Sequence, residues 1–110
     1  MTTELPAAVR RFVEATNAGD SDAFVDVFTD DATLDDWGRT FHGHDGIRSW
    51  NQTDNIGVHS HFEVVGVEVG ADADTFTVTL AVSGGGYNGT GPMEFTVRDD
   101  RISALRIVPT

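Results

Sequence analysis

Residues 29–50 read TDDATLDDWGRTFHGHDGIRSW, and their order decides the fold. Thr29-Asp30-Asp31 is an acidic turn that ends a preceding helix. Ala32 to Trp37 follows as a short strand carrying two adjacent carboxylates, Asp35 and Asp36. Gly38 to Gly43 reads as loop. A helix from about His44 to Thr53 then presents Ile47 and Trp50 on one side. Adjacent residues of a strand point to opposite faces, so one of the two aspartates looks inward and the other outward.

Upstream, Leu5, Val9, Phe12, Val13 and Thr16 recur at helical spacing and form one apolar face. Thr2 or Thr3 can cap that helix, and Pro6 fits its first turn, where a missing N–H costs nothing. Asn17-Ala18-Gly19 is its stop signal. Asp20 or Ser21 caps a second helix that turns Ala23, Phe24, Val27 and Phe28 inward. Downstream the period changes to two. Val58 to Val69, Thr75 to Ser83, Tyr87 to Arg98 and Arg101 to Val108 read as strands. The third is expected to bend or bulge near Gly89–Pro92. Three helices followed by a run of antiparallel strands is an α+β pattern. By strict alternation several strands carry apolar residues on both faces: Phe62 and Val64 against Val65, Val67 and Val69, and Ile102 and Val108 against Leu105 and Ile107. A second apolar face needs cover, so a homodimer through the sheet is expected.

The 110 residues fit one domain, 1–110, with a single core. A hydrophobic fraction of 39%, including seven Phe, two Trp and one Tyr, argues for a folded chain over a disordered one. The net charge of −11 opposes phosphate backbones and anionic lipid, so neither nucleic acid nor membrane is an expected partner. All seven basic residues are Arg, which removes Schiff-base chemistry through a lysine amine. There is no Cys, which removes thiol nucleophiles, disulfides and thiolate metal sites. The start, MTTELPAAVRR, has no apolar run of the signal-peptide kind, and no stretch reaches transmembrane length. The expected location is the cytoplasm.

The order of elements, with the DDAT-like turn and Gly43-x-x-x-Ile47-x-x-Trp50, resembles the nuclear-transport-factor-2-like (NTF2-like) superfamily. The likeness is to its SnoaL-like and ketosteroid-isomerase-like branch, and it covers nearly the whole chain. It implies three N-terminal helices packed on a curved, mostly antiparallel sheet that encloses one cone-shaped pocket, the cystatin-like fold. It also implies a hydrophobic small molecule as ligand, no cofactor, and pairing of two copies. In that branch the strand after the acidic turn carries the general base as the second of two acidic residues, the position of Asp36. A carboxylate beside a carbonyl in an apolar pocket suits proton shuttling. Ketosteroid isomerases add oxyanion donors from a Tyr and a protonated Asp. Phe12 stands where the Tyr is expected and cannot donate. Glu94 falls near the second donor. His61 is a candidate acid–base partner by role, since SnoaL-type polyketide cyclases combine an Asp with a His. The candidate catalytic set is Asp36, His61 and Glu94, and the candidate ligand wall is Phe12, Trp37, Trp50, Tyr87 and Leu105.

Each of these residues also has a plain structural reading. The carboxylates and histidines serve equally as solvated strand residues, and the aromatics as core. His42, His44, His59 and His61 form two His-x-His pairs. His59 and His61 would share a strand face, but no third ligand stands at a useful spacing, so no metal is expected. Gly84-Gly85-Gly86 opens no helix and is followed by no Lys, so it reads as a turn, as does the Asp72/Asp74 pair. Two function classes remain. One is a cofactor-independent isomerase or cyclase, or an epoxide hydrolase, with Asp36 as base. The other is a non-catalytic ligand-binding or dimeric adaptor module.

Overall fold

The computed structural model describes residues 5–70, 72–86 and 88–107. Helices α1 (Ala7–Ala18) and α2 (Ser21–Asp26) precede strands β1 (Phe28–Asp36) and β2 (Arg39–His42). Helix α3 (Gly43–Asp54) and a 3₁₀ turn (Ile56–Val58) follow. Strands β3 (His61–Val69), β4 (Thr75–Ser83), β5 (Gly89–Arg98) and β6 (Arg101–Ile107) complete the chain. The strands form one sheet in the order β2-β1-β6-β5-β4-β3. β1 and β6 run parallel, and the other neighbours run antiparallel. The three helices cover one face of an open sheet, which makes the class α+β. No helix of the described residues is long and apolar enough to cross a membrane.

The first helix stops where its sequence says. Gly19 takes the left-handed conformation (φ 70°), and its N–H and that of Asp20 return to the last turn. The Asp20 carboxylate accepts the Ala23 N–H and starts α2. Pro6 occupies the N-cap of α1 without a side-chain cap, and Thr2 and Thr3 lie outside the described residues. Helix α2 is shorter than its apolar pattern suggests. Phe28 and Thr29 are already strand, because the Ile102 N–H bonds to the Val27 carbonyl and draws the chain into the sheet.

The core is built around Phe12, which is fully buried. Its ring lies 5.2 Å from Phe24, 6.1 Å from Phe28, 5.3 Å from Phe62 and 5.1 Å from Phe95, centroid to centroid. One helix is thereby packed on α2 and on strands β1, β3 and β5 at once. Beside this cluster a buried amide network ties the three helices together. Asn51 donates to Ser21 Oγ, and Asn55 donates to both Thr16 Oγ1 and Asn51 Oδ1. Asn17 pairs both ways with the Phe62 peptide, donating to its carbonyl at 2.9 Å and accepting its N–H at 2.7 Å. That bond pair docks the end of α1 on the start of β3.

Two bulges correct the impression of a sheet that is apolar on both faces. The β3–β4 register shifts between Val64 and Gly66, so Val67 and Val69 return to the side of Phe62 and Val64. The β5–β6 register shifts between Thr96 and Val97, so Ile102 joins Leu105 and Ile107 on that same side. An extra residue inverts the alternation beyond it, and a strict period of two misassigns every later side chain. The outer face of β4 to β6 is mainly polar and includes Thr75, Thr77, Thr79, Glu94, Thr96 and Arg106. Val108 lies outside the described residues. The bulge expected at Gly89–Pro92 is absent: the β4–β5 register runs unbroken from Thr75↔Thr96 to Val82↔Gly89.

Candidate functional site

A cavity of about 350 Å³ opens between α3 and the helix-covered face of the sheet, and its wall is mainly apolar. Trp37, Trp50, Phe62, Leu80, Val82, Pro92, Met93 and Ile107 line it, together with three charged groups, Asp36, Arg39 and Asp54. All three charges come from the β1–β2 hairpin and the end of α3.

Local structure explains why they meet. Ala32 and Leu34 of β1 are fully buried, so the alternation that points them inward carries Asp36 to the same side and Asp35 to the other. Asp36 pairs with Arg39 across the hairpin, whose two-residue loop is Trp37-Gly38. Both loop residues have positive φ, 52° and 91°, the combination of a tight hairpin turn. The Asp35 carboxylate accepts the Gly38 N–H at 3.1 Å and fixes that turn. On α3, Trp50 and Asp54 are four residues apart and therefore share a face.

The polar end is a bridged pair of carboxylates. Asp36 Oδ2 accepts the Trp50 indole N–H at 3.0 Å and an Arg39 N–H at 2.6 Å. Arg39 also donates to Asp54 at 3.0 Å. The Asp36 side chain is 15% exposed and the Arg39 side chain 55%. Both bonds fall on Oδ2, so Oδ1 is the oxygen of Asp36 left for a ligand. Burial raises the pKa of the Asp54 carboxyl, but hydrogen bonds from Arg39 and the Thr53 hydroxyl outweigh it and hold the group below its ordinary value. The same ion pairs raise Arg39, Asp54 first and Asp36 second.

A pH prediction follows from Asp54. A carboxyl with a depressed folded-state pKa adds stability above its unfolded pKa, about 3.9, and loses it as pH falls through the folded value. Arg39→Met should cost on the order of 1 kcal/mol at pH 7, kept small by the exposure of the guanidinium. Urea melts should find that difference shrinking by pH 3. An equal difference at both pH values would refute the coupling.

Residues 9–105 match the family of SnoaL-like domains. The chain belongs to that family. This SnoaL-like protein is 30% identical to a Sinorhizobium meliloti protein provisionally named a polyketide cyclase. The match spans 93% of this chain and 94% of that one, with a TM-score of 0.82. A Mycobacterium tuberculosis protein crystallised with estradiol-17β-hemisuccinate shares the fold at 15% identity, covering 94% and 92% of the two chains, TM-score 0.80. A Δ5-3-ketosteroid isomerase from Mycobacterium sp. does so at 16% identity, covering 91% and 88%, TM-score 0.76. No curated protein sequence matches the chain.

Of the residues singled out in the sequence, the SnoaL-like fold gathers Asp36, Trp37 and Trp50 at the cavity. Phe12 and Leu105 are buried in the core and do not line it. His61 is exposed beside inward-facing Phe62. Glu94 lies on the outer face of β5, where Arg106 approaches it at 3.6 Å. Tyr87 lies outside the described residues. His59 closes the 3₁₀ turn in the left-handed conformation and shares no strand face with His61. Among the described residues no group of three or more His, Asp or Glu is gathered in a way that would hold a metal ion. Gly84 and Gly85 pack on the backbone of residues 58–60, where a Cβ on Gly84 would meet the His59 carbonyl oxygen at 2.4 Å. That contact gives this glycine run a packing role.

Sequence reasoning missed Arg39 and Asp54. The signal for Asp54 was its i+4 spacing from Trp50. The signal for Arg39 was hidden, because Trp is a poor residue for a hairpin turn and Gly38–Gly43 therefore read as loop.

Proposed function

We propose that this SnoaL-like protein is a cofactor-independent enzyme of the isomerase or cyclase type, acting on a neutral, oxygenated, hydrophobic small molecule. The observation that carries this reading is the Asp36 carboxylate at the end of a largely apolar cavity, oriented through one oxygen by Trp50 and Arg39. Asp36 Oδ1 would take a proton from a carbon next to a carbonyl. The released electron pair moves onto the carbonyl oxygen, and Asp36 returns the proton at another carbon. Against an epoxide the same carboxylate would instead take a proton from water as the water oxygen bonds to a ring carbon; the ring C–O bond breaks, and the oxygen so released takes that proton from Asp36. Arg39 is the cation at that end. The relatives support a polycyclic oxygenated ligand: one is provisionally named a polyketide cyclase, one was crystallised with estradiol-17β-hemisuccinate and one is a Δ5-3-ketosteroid isomerase.

A thermal-shift screen with enone steroids, polycyclic polyketides, terpene epoxides and fatty acids tests the ligand class. A ligand present at a hundredfold over its dissociation constant should add roughly 2.7 kcal/mol of stability. A shift with one oxygenated polycyclic class is expected, and a flat response across the panel would remove the basis of the proposal.

A non-catalytic binding module is the second reading. It is favoured by the positions of His61 and Glu94 away from the cavity, and by a Phe at position 12. Ligand-induced stabilisation without turnover in any member of the responding class would select it. Pairing of two copies across the outer sheet face, supported by the family resemblance and not by an apolar face in need of cover, belongs to either reading. Sedimentation velocity should give twice the 11.8 kDa chain mass, and a monomer at high micromolar concentration would exclude it.

A further inference from the structure

Trp37 is held at the mouth of the cavity in a conformation that nothing in its own chemistry favours. Its φ is 52°, in the left-handed region. Asp and His tolerate that region, whereas a bulky residue there is an outlier. The hairpin position it fills is normally Asn, Asp or Gly. The residue is 55% exposed although it lines the cavity. Its N–H donates to no protein acceptor among the described residues, and no other aromatic ring stacks on it. Trp50, the other tryptophan, is buried, bonded to Asp36 and stacked on Phe24. Backbone strain and exposed aromatic surface are both unfavourable, and both are found where Asp36 and Arg39 meet across the turn. Such costs persist at sites that use them.

We propose that Trp37 is a specificity-determining residue, whose indole closes over the bound ligand and selects a flat polycyclic skeleton with an oxygen able to accept its N–H. This rests on the ligand-binding reading of the cavity. The turn sets the Cα position and direction of the side chain, and with the residue 55% exposed the ring has room to move onto a ligand. A flat ring system offers it a stacking surface that a flexible acyclic chain does not.

The test uses the full-length protein labelled with 5-fluorotryptophan, which gives two ¹⁹F resonances assigned with Trp37→Phe. Progesterone is the probe. Both resonances are expected to move on titration. Movement of the Trp50 resonance alone would mean an occupied cavity and would overturn the role of Trp37. If neither moves, the ligand-binding reading falls and this proposal falls with it. A second measurement separates ligand contact from turn geometry. Trp37→Asn should raise Tm by on the order of 4 °C, as a turn-compatible residue replaces a strained one. It should also weaken progesterone binding about tenfold, while Trp37→Phe, which keeps a stacking ring but loses the N–H donor, should weaken it about threefold. A Trp37→Asn protein with raised Tm and unchanged affinity would overturn the proposal.

Discussion

Asp36→Asn is expected to lower turnover of a responding substrate by roughly 10²–10⁴-fold while leaving its binding within a few-fold of wild type. The amide keeps the shape of the carboxylate and still offers an oxygen to the Trp50 indole N–H and to Arg39. Arg39 keeps Asp54 as partner, so the polar end stays assembled. What is lost is the ability to accept and return a proton. Asp35→Asn is the matched control. Asp35 is one residue away, points to the outer face and holds the turn through the Gly38 N–H, a bond that an Asn oxygen also accepts. Its turnover should match wild type. Steady-state kinetics on both variants, with Tm measured alongside, decides the matter. Unchanged turnover in Asp36→Asn would sink the general-base role, and a loss shared equally by both variants would point to hairpin damage instead.

Phe12→Ala is expected to remove about 3–5 kcal/mol of stability. Whole domains have only about 5–15 kcal/mol in total, so the variant should melt tens of degrees lower or fail to accumulate folded. The reason is position: Phe12 is fully buried and touches four other Phe rings drawn from α2, β1, β3 and β5. Removing it leaves a void that four elements would all have to close. Phe12→Tyr makes the complementary test of the steroid-isomerase analogy. A hydroxyl set among these rings lacks an acceptor and should cost about 1–3 kcal/mol, with no gain in turnover. Urea denaturation gives the stabilities. A Tyr variant as stable as wild type and more active would show that position 12 reaches the ligand after all.

The family and the α+β order were legible because they depend on local signals. Gly19 stopped α1, Asp20 capped α2, and the shift from a helical period to a period of two marked where the sheet takes over. The inward turn of Asp36 was legible up to a choice of two, since alternation guarantees that one of Asp35 and Asp36 faces the helices. Register is a different kind of information. The two bulges gather Val67, Val69 and Ile102 onto the core side; Gly66 marks the first, and no residue preference announces the second. Asn51 and Asn55 carry no local signal of burial, and they are fully buried because their partners Thr16 and Ser21 come from helices distant in sequence.

By itself, then, the sequence determined the elements, their order and the family, and it placed one carboxylate on the inner face of β1. Propensity, capping and period act over a few residues, and the chain carries them in plain view. Only the tertiary structure decided the site. It brought Arg39 of a hidden hairpin and Asp54 of α3 around Asp36, left His61 and Glu94 away from the cavity, and put Phe12 in the core. Those outcomes depend on strand register and on which helix face docks where. Both are set by contacts between residues far apart in the chain, and a single sequence does not record them.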